Sequence, residues 1–532
     1  MRQPFAKIIV QGATPHARAI SNSFPFTYLI FTNIFMCMRA FTKSVLIITA
    51  FAVLTRFIGF AFRIFLSRLL GAEMLGVYQM ALSIFMILLT VISSGLPLVI
   101  SREVAKHPAK STQVKSLTIA GLLIGITTSA LLCGAVLLGH KLFGLIFTDQ
   151  RCLGILFALL PGLVASSVYS VLRSVWWGEK KFFLLGLTEL IEQVARVLLF
   201  VPLLSIAFYF ADMANLAAWS FTGACIISAL VVIVIFIRCH RWEHGPTQPQ
   251  TWVKPLLKAA TPITGVRLFS SLTIPVITIL LPLRLVAAGW PNAAAVAHLG
   301  IISGMTLPLL TVPSTVISSL ATALVPELAN MINTQQWPAV RRQIRTVLRF
   351  TIFICFCFIP VYLALGSPIG SFLYADVNSG IYLARSAWVM LPMSLSQITN
   401  TTLNAMNREN LTIRNYAIGS VVLLIIIWFM PAVIGADAVL LGMGISMTIS
   451  TFLNLIAIRK VTNWQSKDTT LPTIFSYLLI GIPVFALGFF AYSLGAFLPN
   501  FLNLTFAILL AELAFFALSW CTNLITFPTK RQ

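Results

Sequence analysis

Six arginines stand inside or at the ends of long apolar stretches of this sequence, where charged residues are rare. They are Arg56, Arg63, Arg196, Arg267, Arg284 and Arg385. An arginine at the centre of a membrane-spanning helix costs about 2.5–3.5 kcal/mol on translocon-insertion scales, so each of them requires a compensating role. A polar cavity that receives an anion would provide one. Guanidinium groups pair bidentately with phosphate oxygens and stay protonated when they are partly desolvated.

Four of these arginines are predicted to bind the anion. Arg56 and Arg63 are seven residues apart, which is two helical turns, so they line one side of a cavity. Arg267 and Arg284 would line the other side from a later helix. The alternative interpretation is that Arg63 and Arg284 lie near helix ends and extend to the membrane interface.

A second group of charges lies in the apolar stretch 182–209. Glu189, Glu192 and Arg196 are spaced by three and four residues, so Glu192 and Arg196 can form an ion pair within one helix. This group has two interpretations: a structural ion pair, or a proton-coupled switch in which Glu189 is the less compensated carboxylate. The coupling ion, H⁺ or Na⁺, is left open.

Residues that would support catalysis or metal binding are scarce. The sequence contains no Walker A motif, no GxSxG motif and no paired carboxylates in a soluble domain. Cys239, His240 and His244 share a loop but lack a second ligand pair. We therefore expect neither an enzyme nor a bound cofactor or metal. Glu512, alone in the last apolar stretch, is left without a role.

The composition identifies an integral membrane protein. Of 532 residues, 58% are hydrophobic and 9% charged, and the mean hydropathy is +0.95. The net charge of +22 would suggest nucleic-acid binding in a soluble chain, but here the basic residues are spread between apolar runs. They are interpreted as topology signals, and no nucleic-acid partner is expected.

Fourteen apolar runs are long enough to cross a hydrocarbon core of about 30 Å. They fall near 44–67, 77–100, 117–139, 152–172, 182–209, 214–237, 259–283, 294–325, 346–366, 381–403, 412–434, 436–458, 472–494 and 500–523. The fold class is therefore an all-α polytopic membrane protein of about 14 transmembrane helices. Lys and Arg accumulate in alternate loops, and Arg173 is assigned to one of these basic loops. Only Arg68, Lys141 and Arg151 fall in the loops of the opposite side. This bias predicts that both termini are cytoplasmic.

The chain divides at the basic, proline-containing loop 238–258. This loop separates an N-lobe of six helices (41–240) from a C-lobe of six helices (259–460), with a cytoplasmic linker at 241–258. Residues 461–532 supply two further helices and a cytoplasmic C-terminus. Residues 1–40 are interpreted as an N-terminal extension or an interfacial segment, and Met36 and Met38 are candidates for the native start.

Several short motifs together resemble one bacterial family. They are Thr55-Arg-Phe-Ile-Gly-Phe-Ala-Phe-Arg63, Ser67-Arg-Leu-Leu-Gly71, Gly76-Val-Tyr78, Gly95-Leu-Pro97, Ile100-Ser-Arg102, Glu192-Gln-Val-Ala-Arg196, Leu281-Pro-Leu-Arg284, Ala287-Ala-Gly289 and Ala323-Leu-Val-Pro-Glu327. Over residues 40–525 the pattern resembles the stage V sporulation protein B group of polysaccharide exporters, which belongs to one superfamily with the lipid II flippase MurJ and the MATE exporters.

This resemblance implies a V-shaped, two-lobed transporter that works by alternating access in the bacterial cytoplasmic membrane. The implied substrate is an undecaprenyl-diphosphate-linked glycan, such as the lipid II-like cell-wall precursor. Arg56, Arg63 and Arg284 fall on arginines that MurJ-type flippases place in or near the cavity. The arginine of the second MurJ helix has no counterpart between Tyr78 and Ile100, so the headgroup geometry is expected to differ.

Two other functions are considered. A MATE-like antiporter for cationic drugs would favour carboxylates in the first or seventh helix, and 44–67 and 259–283 contain none. A non-transporting scaffold for cell-wall synthases would not require interior arginines. The expected partners are the lipid-linked glycan, the bilayer and cell-wall synthases, and the protein is expected to be a monomer.

Overall fold

The computed structural model describes residues 40–107, 111–210, 213–240, 245–464 and 471–522. These residues form helices joined by short turns, and no strand occurs among them. Helices are the natural outcome for such apolar segments, because each backbone N–H and C=O must find its partner within the segment when water is absent.

The first half of the described chain forms seven helices. They are α1 (Ala40–Ser93), α2 (Gly95–Val104), α3 (Thr112–Leu138), α4 (His140–Ile146), α5 (Arg151–Gly178), α6 (Phe182–Phe210) and α7 (Met213–Cys239). Helix α1 is two helices joined at Gly71, whose φ of 68° lies in a region that glycine adopts readily. The chain reverses there, so α1 supplies two successive crossings.

The second half forms the remaining helices. They are α8 (Gln250–Ser271), α9 (Thr273–Ala287), α10 (Asn292–Leu299), α11 (Leu307–Leu310), α12 (Val312–Asn333), α13 (Trp337–Tyr374), α14 (Val377–Ser386), α15 (Met390–Ala405), α16 (Glu409–Phe429), α17 (Pro431–Ile434), α18 (Asp437–Thr462), α19 (Leu471–Leu494) and α20 (Asn500–Cys521). A π-helical segment, Gly300–Thr306, joins α10 to α11.

The structure confirms the predicted fold class. Eleven segments of the described residues are long and apolar enough to cross a membrane. The exact number of 14 crossings stays a prediction. Residues 1–39, 241–244 and 523–532 lie outside the described residues. They include nearly all of the predicted N-terminal extension, part of the predicted linker and most of the C-terminal tail.

Several boundaries differ from the sequence-based prediction. The predicted span 346–366, for example, lies within α13, which runs from Trp337 to Tyr374. The predicted span 294–325 is part of a longer helical run from Asn292 to Asn333, which is interrupted at Thr311. The predicted linker 241–258 is shorter in the structure, because α8 already begins at Gln250. The prolines at 255 and 262 are accommodated inside α8 and do not delay its start.

The helices pack as two bundles with a C-terminal pair. In the first bundle α5 packs against α1, α3 and α7, and in the second bundle α18 packs against α15 and α16. Helices α19 and α20 pack on each other and on α13. The alternating Lys and Arg bias predicts that α2, α5, α7, α15 and α18 end on one side of the membrane. This predicted side carries Arg102, Lys180, Arg238, Arg408 and Lys460, and we call it the basic face.

Glycines let the two bundles approach each other backbone to backbone. A Cβ atom at Gly76 of α1 would overlap the carbonyl oxygen of Val296, and one at Gly300 would overlap that of Ala72. We call this contact between α1 and the run α10 to Thr306 the glycine seam. No side chain larger than hydrogen fits at Gly76 or Gly300 without a shift of the backbone.

Candidate functional site

Arg56 reaches from the first bundle to the second. It lies in α1, about 22 Å along the helix from the reversal at Gly71. Its Nη1 atom donates a hydrogen bond of 3.4 Å to the hydroxyl of Ser318 in α12. The side chain is exposed, and no carboxylate of the described residues pairs with it. Most of its N–H donors are therefore free for a ligand.

Arg63, two turns further along α1, belongs to a polar cluster between the bundles. It interacts electrostatically with Tyr78, with Tyr374 at the end of α13, and with Arg196 of α6. The hydroxyl of Tyr374 is buried and has no hydrogen-bond partner among the described residues. These contacts are those of an interior arginine and not of one that extends to the membrane interface.

Arg196 forms the ion pair that its spacing suggests. Its Nη2 atom lies 3.0 Å from Oε1 of Glu192, and its guanidinium lies 4.3 Å from the centre of the Phe221 ring. Both charged side chains are largely buried, with 16% and 20% of their surface exposed. Together with Arg63 the cluster keeps one positive charge in excess.

Glu189, predicted to be the less compensated carboxylate, also has a partner in the structure. Its Oε2 atom lies 3.3 Å from Nη2 of Arg173, which also donates to the Leu185 carbonyl at 2.9 Å. Assigning Arg173 to a loop was wrong, because α5 extends to Gly178. The turn between α5 and α6 is so short that Arg173 faces Glu189 across the two antiparallel helices.

Arg267 lies in α8, its side chain is exposed, and no ion pair joins it to any described residue. Helix α8 packs against α1, α2 and α3 of the first bundle. Arg56 and Arg267 are thus exposed arginines without an ion-pair partner among the described residues, on two helices that contact each other.

Arg284 does not share this environment. Its Nε atom donates to the carbonyl of Trp428 at 2.8 Å, and its guanidinium lies 4.6 Å from the centre of the Trp428 ring. It stands in the last turn of α9, where it fits the alternative role of an anchor at a helix end. Arg385 likewise lies near a helix end, 62% exposed, and pairs with Asp437 at 2.7 Å.

Sequence reasoning missed a contact that joins the two bundles. Arg68 of α1 donates from Nε to the carbonyl of Leu373 at 2.7 Å and from Nη2 to that of Phe372, at the end of α13. We call this contact the Arg68 clasp. No sequence signal identifies it, because both acceptors are backbone atoms.

Buried amides form a second unpredicted network, inside the second bundle. Asn454 of α18 donates to Asn400 at 2.7 Å and accepts from Asn415 at 2.9 Å. Asn415 and Asn454 are fully buried. The network ties α15, α16 and α18 together. Glu512 of α20 is half-buried near Cys357 and Tyr362 of α13, without an ion-pair partner among the described residues.

The cysteine and histidine residues at the end of α7 form no metal site within the described residues. His240 is buried, and its Nε2 atom lies 2.9 Å from Glu179, which Lys181 also contacts at 2.8 Å. Burial opposes ionisation of Glu179, but the hydrogen bonds from His240 and Lys181 outweigh it and hold the pKa of this carboxyl below its usual value. His244 lies outside the described residues.

Comparison with known proteins agrees with this architecture. The family described as "Polysaccharide biosynthesis protein" matches residues 41–332, more than half of the chain. The chain is 27% identical over 445 residues to stage V sporulation protein B of Bacillus subtilis (strain 168), covering 80% of this chain and 85% of that protein.

Two solved structures share the fold. One is the lipid II flippase MurJ in an inward closed conformation, with a TM-score of 0.71 and 14% identity over 90% of this chain and all of that one. The other is an inward-facing multidrug resistance MATE transporter, with a TM-score of 0.63 and 14% identity over 77% of this chain and 94% of that one. The chain therefore belongs to the polysaccharide biosynthesis protein family of multi-span membrane proteins, and its fold is that of MurJ and the MATE transporters.

Proposed function

We propose that the protein is a flippase for a lipid-linked oligosaccharide, and that it moves an undecaprenyl-diphosphate-linked, lipid II-like precursor across the bacterial cytoplasmic membrane by alternating access. One observation carries the proposal: Arg56 and Arg267, on the contacting helices α1 and α8, are both exposed and have no ion-pair partner among the described residues. Unneutralised charge in an apolar span is costly unless a ligand completes the site.

A diphosphate is the ligand that best fits these side chains. Each guanidinium can bind two phosphate oxygens at once, and two arginines match the charge of a diphosphate diester. The cluster of Arg63, Glu192 and Arg196, with one excess positive charge, adds to the attraction from the first bundle. The glycan would occupy the space between the bundles while the polyprenyl chain remains in lipid.

The orientation and energy source are part of the proposal. The charge bias supports a cytoplasmic position for the basic face and for both termini. The protein acts as a monomer and exchanges its substrate with cell-wall synthases. H⁺ or Na⁺ could drive the cycle, and so could the membrane potential, which acts on each transferred charge with about 2.3 kcal/mol per 100 mV.

A MATE-like exchange of cationic drugs is less well supported, because the similarity to MATE transporters concerns the fold alone. Residues 50–71 of α1 and residues 250–287 of α8 and α9 contain no carboxylate that could bind a cation. A non-transporting scaffold would not need Arg56 or Arg267 to remain unpaired.

Translocation of a defined lipid-linked sugar in proteoliposomes tests the proposal, with ion gradients imposed one at a time. We expect Arg56→Ala and Arg267→Ala to abolish translocation, and the lysine variants to restore it only in part, because lysine keeps the charge but loses the planar fork. Arg385→Ala is the matched control, since Arg385 is exposed and paired with Asp437. Full translocation by either alanine variant at normal expression would refute the assignment.

A further inference from the structure

A cavity of about 790 Å³ opens on the basic face of the second bundle, between α16, α18 and the start of α13. Its lining combines two kinds of residue. Arg408, Arg414 and Lys460 supply positive charge, and Leu453 and Ile456 supply an apolar wall. It contains none of the arginines assigned to the flippase cavity, so it is independent of the proposed function.

The three basic side chains of this cavity are exposed and have no ion-pair partner among the described residues. Arg414 contacts only the side-chain oxygen of its neighbour Asn415, at 3.4 Å. Glu409, the carboxylate that follows Arg408 in the chain, pairs with none of them. A cavity with three uncompensated positive charges attracts an anion.

The apolar wall of the cavity indicates which kind of anion binds there. Ile456 is 36% exposed and Phe452, one turn earlier on α18, is 63% exposed. An exposed apolar strip therefore leads from the cations along the surface of a membrane-spanning helix. Trp337, which also lines the cavity, is a residue type that prefers the level of lipid headgroups.

We propose that this cavity binds the headgroup of an anionic phospholipid from the leaflet at the basic face. The phosphate lies between Arg408, Arg414 and Lys460, and an acyl chain follows Ile456 and Phe452. Basic pockets between transmembrane helices bind such headgroups, and each basic residue near an anionic lipid surface contributes about a fivefold gain in affinity.

Native mass spectrometry of the detergent-solubilised full chain, titrated with dioleoyl phosphatidylglycerol, tests this proposal. Replacing Arg408, Arg414 and Lys460 together by glutamine is expected to weaken phosphatidylglycerol binding about a hundredfold, since three charges are lost. The matched control replaces Arg102, Lys180 and Arg238, three basic residues of the same face that do not line the cavity. Equal affinity in the two triple variants would overturn the site.

Two further titrations identify the source of the phosphate. Dioleoyl phosphatidylcholine, which carries the same chains without net charge, is expected to bind the wild-type chain at least tenfold more weakly than phosphatidylglycerol. Inorganic pyrophosphate is expected not to displace phosphatidylglycerol at concentrations that saturate the lipid. Displacement by pyrophosphate would show a site for free anions and would overturn the lipid assignment.

Discussion

The surroundings of each arginine in an apolar span decide what that arginine can do. Arg196 is neutralised by Glu192 and covered by Phe221. Arg284 is engaged by the carbonyl and ring of Trp428. Arg56 contacts a single hydroxyl, that of Ser318, and keeps most of its five N–H donors available. Ligand binding is therefore assigned to arginines with unused donors, and not to every arginine inside a span.

The Glu192–Arg196 pair gives a prediction about stability. Glu192→Gln leaves Arg196 beside Arg63 without a neutralising carboxylate, and breaking a largely buried pair costs about 3–5 kcal/mol. We expect a lower thermal unfolding temperature in detergent for Glu192→Gln than for the double variant Glu192→Gln/Arg196→Gln. A double variant that is no more stable than the single variant would contradict this account.

Glu179 gives a prediction about pH. Although burial opposes ionisation of Glu179, His240 and Lys181 lower its pKa in the folded state. The ionised carboxylate therefore stabilises the folded protein above the unfolded pKa of about 4.3. This stabilisation is lost as the pH falls through the lower pKa of the folded state. We expect Glu179→Gln to destabilise the protein at pH 7 by about 1–3 kcal/mol and to have little effect at strongly acidic pH.

Thermal unfolding of the wild type and of Glu179→Gln across this pH range measures the difference. Glu103→Gln is the control, because the pair of Glu103 with Lys106 is exposed and an exposed pair contributes about 0–1 kcal/mol. A constant difference between wild type and Glu179→Gln from neutral to acidic pH would show that the carboxylate charge is not the source of the stability.

At the residue scale, contacts between charged residues of one helix could be predicted from the sequence, whereas contacts between different helices could not. The spacing of four residues gives the Glu192–Arg196 pair directly, since both lie on one face of a helix. The partners of Glu189 and Arg284 come from other helices, Arg173 and Trp428. Such contacts depend on how helices rotate and pack, which periodicity in nearly uniformly apolar segments does not specify.

At the scale of elements, the Arg68 clasp joins the first segment of α1, just before Gly71, to the last turn of α13. Arg68 satisfies two carbonyls that the last turn of α13 would otherwise leave unpaired. We expect Arg68→Gln to let this turn fray, because the hydrogen bonds from a charged donor are lost. Hydrogen–deuterium exchange should become faster at residues 371–376.

Lys141→Gln is the matched control for the clasp, since Lys141 is an exposed cation in α4 with no partner among the described residues. It should leave exchange at residues 371–376 unchanged. The clasp would have no structural role if both variants exchanged at the wild-type rate in this segment.

Helices were the most predictable elements. Apolar length alone located almost all of them, because a membrane span needs about 20 apolar residues whatever their order. The predicted spans 44–67 and 77–100 leave a connection between them, and the structure has its reversal there, at Gly71. Details of the run from Asn292 to Asn333 were not predicted. Its π-helical segment packs against α1 and leaves no mark on hydropathy, and its interruption at Thr311 precedes Pro313, which lacks an N–H donor.

At the scale of the whole molecule, the glycine seam sets how closely the bundles approach. A Cβ atom at Gly300 would overlap the backbone of Ala72, so Gly300→Ala should force the seam apart and lower the unfolding temperature. Gly134→Ala is the control, because nothing lies within 4 Å of a Cβ atom there and alanine favours a helix by about 0.5–1 kcal/mol. Equal unfolding temperatures for the two variants would contradict the seam.

Because the Arg68 clasp uses backbone acceptors, it constrains the evolution of the sequence in an unusual way. Any residue at 372 or 373 presents a carbonyl oxygen, so the side chains at these two positions can drift without breaking the contact. Correlated substitutions across related sequences would then carry no trace of it. Contact prediction from covariation would therefore miss the Arg68 clasp between the two bundles, whereas an atomic structure shows it.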